Sequence, residues 1–237
     1  MTENIQIALT RKEEDIVGEK SLDEITIKEC NEPLVKIIDY VPSAIIRMRK
    51  ERKRFPEETL YARKTVAEQL AKIAEDVFPL KLVIYDAFRP IEIQEEWYNK
   101  TYKRIKEKNQ SWTAEELRAE TFKFIFPPSW DLQTPPAHST GGAIDLNLAN
   151  ENGIEFEMGS AYGNFDSPYI CTNAKGIAKK QKENRILLVT TMCKQDFVNY
   201  PGEWWHFSVG DREWIVYSGL KDQSARYGRA NDPCKGK

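Results

Sequence analysis

Apolar positions recur at helical spacing between Pro56 and Val77: Val66, Leu70, Ile73 and Val77 fall on one face, with Ala67, Ala71 and Ala74 beside them. The spacing predicts a helix that packs one face on a sheet, with Glu57 and Glu58 at the positive end of its dipole. Leu82-Val83-Ile84-Tyr85 is a short continuous apolar run, the pattern of a buried central strand. It leads into Asp86-Ala87-Phe88-Arg89-Pro90, and Pro90 suits the first turn of a helix carrying Ile93, Trp97, Tyr98, Tyr102 and Ile105. Arg89 therefore stands where a strand ends and a helix begins. Thr113-Ala114-Glu115-Glu116 matches a capping box and starts a helix running to about Phe126, where Pro127-Pro128 stops it. Nearer the start, Ile5–Leu9 and Ile25–Ile27 alternate as short strands, and Leu34–Ile38 reads as another.

In the second half, Ala143–Leu148 alternates cleanly: Ile144, Leu146 and Leu148 point one way, Ala143, Asp145 and Asn147 the other. Residues 149–172 form a long glycine-containing connection. Asn173 is placed to cap a helix reaching about Cys193. Pro201-Gly202 marks a turn, Glu203–Val209 reads as a strand, and Arg212–Tyr217 as its neighbour, a hairpin partner. The polar tail after Ser218 is expected to fray.

Neither an internal repeat nor a Gly/Ser-rich linker divides the 237 residues, so one domain over 1–237 is expected, long enough to bury a core without staples. Net charge is −2, which leaves no global basic field for nucleic acid. The basic run from Arg47 to Arg54 is interrupted or followed by Glu51, Glu57 and Glu58 and reads as a solvated helix face. Cys30, Cys171, Cys193 and Cys234 are scattered and form no C-x-x-C pair, as expected of idle thiols in a reducing compartment. The first residues lack the pattern of a signal peptide, and no apolar run approaches a membrane span; the expectation is a cytoplasmic protein with no membrane partner.

Candidate chemistry centres on the chain's two histidines. His138 opens the stretch His138-Ser139-Thr140-Gly141-Gly142-Ala143-Ile144-Asp145, and His206 closes Gly202-Glu203-Trp204-Trp205-His206. Two imidazoles and a carboxylate are a catalytic zinc set that keeps one position for water, and a further carboxylate nearby can move the proton. His138, Asp145 and His206 are the candidate ligands and Glu203 the candidate base. Two other readings stand beside this one: the histidines are unrelated, one in the core and one on the surface, or Glu203 is a ligand and Asp145 supports it. Glu203 and His206 are three apart, which in an ideal strand puts them on opposite faces, so a turn or bulge is expected between them. Arg89 is the candidate for stabilising a developing oxyanion; alternatively it pairs with Asp86 to brace its turn.

At these residues the chain resembles a known family. Asp86-Ala87-Phe88-Arg89-Pro90, His138-x-x-Gly141-x-Ala143-x-Asp145 and Glu203-Trp204-Trp205-His206 are similar to the three motifs of the zinc D-alanyl-D-alanine dipeptidases of the vancomycin-resistance type, within the D,D-peptidase/hedgehog-like metallopeptidases. Leu60-Tyr61-x-Arg63-Lys64 and Met158-Gly159-Ser160 also resemble that group, so the likeness runs from about residue 60 to 210. The resemblance implies an α+β fold with a central antiparallel sheet and flanking helices. It implies one zinc ion per chain held by His138, Asp145 and His206, with Glu203 as general acid/base and Arg89 as transition-state stabiliser. The implied substrate is D-Ala-D-Ala or a related D,D-dipeptide. Three departures concern the substrate's amino end: Pro136 stands where the family usually has a serine, Gly163 where an aspartate is common, and no counterpart of the family's N-terminal tyrosine segment appears around Tyr40-Val41-Pro42. The alternatives to a dipeptidase are a D,D-carboxypeptidase or muropeptide endopeptidase on cell-wall peptides, and a zinc-stabilised binding module without catalysis.

Overall fold

The computed structural model describes residues 3–48, 59–220 and 222–234. The expected roles of Pro56, Glu57 and Glu58, and the basic run from Arg49 to Arg54, lie outside the described residues. The chain begins with helices α1 (Glu3–Thr10) and α2 (Glu19–Asp23), then strand β1 (Leu34–Lys36), the short helix α3 (Ile37–Tyr40) and strands β2 (Ile45–Ile46) and β3 (Tyr61–Arg63). Next come α4 (Lys64–Asp76), β4 (Lys81–Asp86), α5 (Ile91–Lys108), α6 (Ala114–Phe122), α7 (Ala137–Thr140) and β5 (Ala143–Ala149). The last elements are α8 (Lys179–Cys193), β6 (Val198–Asn199), β7 (His206–Ser208) and α9 (Arg212–Ser218).

The fold is α+β. Five strands form the central sheet in the order β2-β4-β5-β7-β6. β4–β5, β5–β7 and β7–β6 are antiparallel, and the edge strand β2 joins β4 in parallel. β1 and β3 make a separate antiparallel pair. One face of the sheet is aliphatic: Leu82 opposes Leu148, Ile84 opposes Leu146, and Ile144 opposes Phe207. These side chains join Val66, Leu70 and Ile73 of α4 and Leu188, Val189 and Met192 of α8 in one buried cluster. Burial of each such side chain contributes about 1.5–3 kcal/mol. The alternation seen in the sequence therefore holds, but β5 is buried on both faces. The connection after it covers the polar face, with Phe156 N–H donating to Leu148 O and Asn147 Nδ2 to Phe156 O.

Several expected elements differ. Residues 5–9 belong to helix α1: Ile5 and Ala8, three apart, are buried, while Ile7 is exposed, so the helical period wins over the apparent alternation. Ile27 makes only an isolated bridge to Ala225. The expected strand at 34–38 stops at Lys36. α4 starts at Lys64, because Tyr61–Arg63 is taken up in pairing with β1. α6 ends at Phe122, short of the prolines. α8 is capped at Ala178; Asn173 instead donates to the carbonyl of Arg11. The hairpin partner expected at 212–217 is helix α9. Asp211 accepts Trp214 N–H at its start, and Gly219 adopts the left-handed conformation at its end. A short apolar run such as Trp214-Ile215-Val216 fits either state by pattern, and the caps decide.

The described part of the tail, residues 222–234, packs against the body instead of fraying as expected. Ala225 and Tyr227 are fully buried, and the backbone of residues 225–227 bonds to Thr26, Lys28, Cys30 and Gly210. Arg63 ties this end to the site, donating from Nε to Thr140 O at 2.7 Å, from a terminal nitrogen to Gly228 O at 3.0 Å, and to the Glu29 carboxylate. Among the described residues no helix is long and apolar enough to cross a membrane. All four cysteines are free thiols.

The join between α7 and β5 is closely packed. Gly141 ends α7 with φ +78°, a conformation that L side chains rarely adopt. At Gly142 a Cβ would lie 2.6 Å from the carbonyl oxygen of Val209, which is backbone and cannot swing aside. Gly142→Ala is therefore expected to destabilise the protein by about 1–3 kcal/mol, measured by denaturant unfolding. Stability equal to the parent would show that the join can relax.

Candidate metal centre

Strand register assembles the centre. Asp145 directly opposes His206 across β5 and β7, and opposes Asp86 across β4 and β5 after a register shift. Directly opposed residues have Cβ atoms about 4.5–5.5 Å apart, so three polar side chains form a row at one end of the sheet. His138 comes from α7, which is stitched to the loop after β4. Arg89 N–H donates to His138 O at 3.0 Å, and Ser139 Oγ donates to Arg89 O at 2.9 Å.

The ring of His138 is oriented by Ala87. Nδ1 lies 2.8 Å from the Ala87 carbonyl oxygen, which can only accept, so Nδ1 carries the proton and Nε2 presents a lone pair. His206 is held in the opposite sense: Nε2 lies 3.0 Å from Glu213 Oε2, leaving Nδ1 inward. His138 Nε2 and His206 Nδ1 are 3.2 Å apart, and Asp145 Oδ1 lies 3.3 and 3.0 Å from them. These three side chains are a group that could hold a metal ion. Donors about 2.0–2.2 Å from a tetrahedral zinc lie about 3.3–3.6 Å apart, so the triangle fits zinc to within a few tenths of an ångström.

Glu203 and Arg89 line the same cavity, of about 290 Å³, as the three converging side chains. Glu203 precedes the turn at Trp204-Trp205, with its N–H donating to Tyr200 O and its carbonyl accepting His206 N–H. This is the break in the strand that the three-residue spacing requires, and it makes β7 shorter than Glu203–Val209. Arg89 is buried. Its Nε and one terminal nitrogen donate to Asp86 Oδ2 at 3.1 and 2.6 Å, and the other terminal nitrogen to Gln94 Oε1 at 2.7 Å. Arginine has five N–H donors, so two remain beyond these three bonds. The bracing of the turn and a free donor face are thus compatible. Aromatic side chains make up much of the remaining wall, among them Trp97, Phe126, Tyr162, Phe165 and Trp205. From the N-terminal segment, Val17 and Leu22 contribute to the wall, and Tyr40 does not.

Glu213 was not anticipated, because residues 212–217 read as a strand. In α9 it sits in the first turn, seven residues after His206, where its carboxylate meets the outer ring nitrogen. Tyr162, whose hydroxyl donates to Asp145 Oδ2 at 3.0 Å, was likewise not anticipated in this position. Neither contact has a local sequence signal.

The electrostatics are those of a crowded anionic site. Burial opposes charge on His206, but the Glu213 and Asp145 carboxylates outweigh it and hold its pKa well above the ordinary value. Burial lowers His138. Burial also opposes charge on Asp145, yet His138 and His206 bring it well below the usual carboxylate range. Glu203 is pushed up to about 8 by burial and by Asp145. A cation at the focus of the three donors would act against the crowding of carboxylates.

The sequence profile of the D-Ala-D-Ala dipeptidase family matches residues 49–226, three quarters of the chain. The chain belongs to this family. It is 30% identical over 151 residues to the D-alanyl-D-alanine dipeptidase of Synechocystis sp., covering 56% of this chain and 61% of that protein. It is 30% identical over 134 residues to the D-alanyl-D-alanine dipeptidase of Escherichia coli, covering 55% of each. The matched stretch thus spans between half and two thirds of these relatives' own length. Among solved structures, VanYB in complex with D-alanine-D-alanine is similar at 15% identity with a TM-score of 0.41, over 71% of this chain and 81% of that one. That likeness is too loose to bear on the site.

Asp211, below the site, caps α9 and accepts Ser208 Oγ at 2.9 Å. Burial and the nearby charge of Glu213 raise its carboxyl from 3.8 to about 7. The folded state therefore holds this proton more tightly than the unfolded state, and the stability it contributes is present below about pH 4 and lost as pH rises through about 7. Asp211→Asn keeps a capping side chain and removes the titration. The variant is expected to gain stability relative to the parent between about pH 4 and pH 7, measured by melting temperature across that range. A constant difference would contradict the assignment.

Proposed function

We propose that this protein is a zinc dipeptidase that hydrolyses D-Ala-D-Ala or a related D,D-dipeptide. The observation that carries the reading is the convergence of His138 Nε2, His206 Nδ1 and Asp145 Oδ1 on one point of a cavity that also holds Glu203 and Arg89. Membership of the D-Ala-D-Ala dipeptidase family supports it. In this reading His138, Asp145 and His206 hold one zinc ion per chain.

When bound, zinc would supply a Lewis acid and lower the pKa of a water molecule. Glu203 is the general base that takes a proton from the attacking water and passes it to the leaving amine. Its separation from the ligand triangle, in the turn before β7, leaves its carboxylate to act on the water. Arg89 directs its two remaining N–H donors at the oxyanion that develops on the scissile carbonyl, and Asp86 and Gln94 fix the guanidinium so that no reorganisation is needed. The aromatic wall excludes water and strengthens both interactions.

Purified protein is expected to hydrolyse D-Ala-D-Ala, to lose activity on exhaustive chelation and to regain it with zinc. Full activity in metal-free protein would reject the reading. Glu203→Gln is expected to retain zinc while kcat falls by about 10²–10⁴; unchanged turnover would remove Glu203 from the mechanism. Faster hydrolysis of a pentapeptide ending in D-Ala-D-Ala than of the free dipeptide would reassign the protein as a carboxypeptidase. Zinc binding with no hydrolysis of any D,D-peptide would make it a binding module.

A further inference from the structure

The two oxygens of Asp145 have different company. Oδ1 faces His206 Nδ1 at 3.0 Å and His138 Nε2 at 3.3 Å. Oδ2 accepts a hydrogen bond from the Tyr162 hydroxyl at 3.0 Å. Tyr162 lies in the long connection after β5, yet its ring is fixed on two sides. It stacks on Tyr85 of β4, with ring centres 4.2 Å apart and planes 8° from parallel. It also meets Trp205 edge-on at 5.3 Å. Tyr85 is itself held through a hydrogen bond from its hydroxyl to Glu155. A rigid stack anchored in the central sheet therefore delivers the Tyr162 hydroxyl, rather than a loop free to move away.

We propose that Tyr162 is a positioning residue that keeps Asp145 bound to the metal through one oxygen. The proposal rests on the zinc reading above. A carboxylate can offer one oxygen or both. If Oδ2 turned inward, it would crowd the position that a catalytic zinc leaves open and add negative charge at the cation. The Tyr162 hydroxyl holds Oδ2 in a hydrogen bond while Oδ1 faces both histidines, which fixes the carboxylate plane so that only Oδ1 joins the triangle. A simpler role, a half-buried phenol that merely satisfies its own hydroxyl, predicts no effect on the metal.

Tyr162→Phe keeps the ring and the stack and removes only the hydroxyl. The comparison is with Tyr85→Phe, which removes the other hydroxyl of the same stack, the one bonded to Glu155. Both variants and the parent are loaded with cobalt(II) for visible absorption, and their zinc affinity is measured by competition with a chromogenic chelator. Tyr162→Phe is expected to lose about 10–100-fold in zinc affinity and to show the weaker cobalt absorption of a site with an added ligand. Tyr85→Phe is expected to match the parent in both. A parent-like spectrum and affinity in Tyr162→Phe would overturn the proposal, as would equal changes in both variants, which would assign the effect to the stack. A parent that binds neither metal would end the zinc reading and this one with it, an outcome distinct from normal parent binding with an unaffected Tyr162→Phe.

Discussion

Asp145 stands between His206 on one neighbouring strand and Asp86 on the other, and the positions of all three follow from the pairing of β4, β5 and β7. Side chains alternate along a strand, so a slip of one residue in either pairing would send one partner to the opposite face of the sheet. The aliphatic face guards against that slip. A one-residue slip would take Ile144, Leu146 and Leu148 out of the core that they share with Leu82, Ile84 and Phe207. Hydrophobic burial on one side of the sheet thus fixes the polar geometry on the other. The fourth member of the centre, His138, is fixed by backbone bonds to the loop that carries Arg89.

That geometry concentrates negative charge. Asp145, Glu203, Glu213 and Asp211 lie within one region, all buried or largely so. Buried charges persist when they are paired or coordinate a metal. Asp86 has Arg89. Asp145 and Glu213 share His206, one at each ring nitrogen. Glu203 and Asp211, which make no ion pair among the described residues, are raised by burial and by the neighbouring carboxylates Asp145 and Glu213. A divalent cation at the focus of the triangle would supply positive charge there, in place of the proton that His206 holds between Asp145 and Glu213. The arrangement also separates tasks. Ala87, Glu213 and Tyr162 orient the three donors, and Glu203 and Arg89 stay outside the triangle.

Much of this could be read along the chain because the informative signals are local. The β5 alternation, the two glycines after His138 and the three-residue spacing of Glu203 and His206 each dictate a conformation within a few residues, and the structure has each of them. The capping box at Thr113 and the strand into Arg89 are of the same kind. What escaped depends on distant contacts or on caps. Residues 212–217 carry an apolar run that suits a strand, and taking them as one hid Glu213. Tyr162 meets Asp145 only after a long connection folds back over the sheet. Val17 and Leu22 reach the wall through bonds to Tyr217 and Arg212, and Tyr227 is buried with Arg63 against its ring, contacts that no spacing along the sequence announces.

The central claim is that three side chains, 138, 145 and 206, share one zinc ion. X-ray absorption at the zinc edge of the loaded protein tests it most directly. The account predicts a four-coordinate site with two imidazole nitrogens at about 2.0–2.1 Å and oxygen donors completing the shell. Sulfur in the shell, or fewer than two imidazoles, would contradict it.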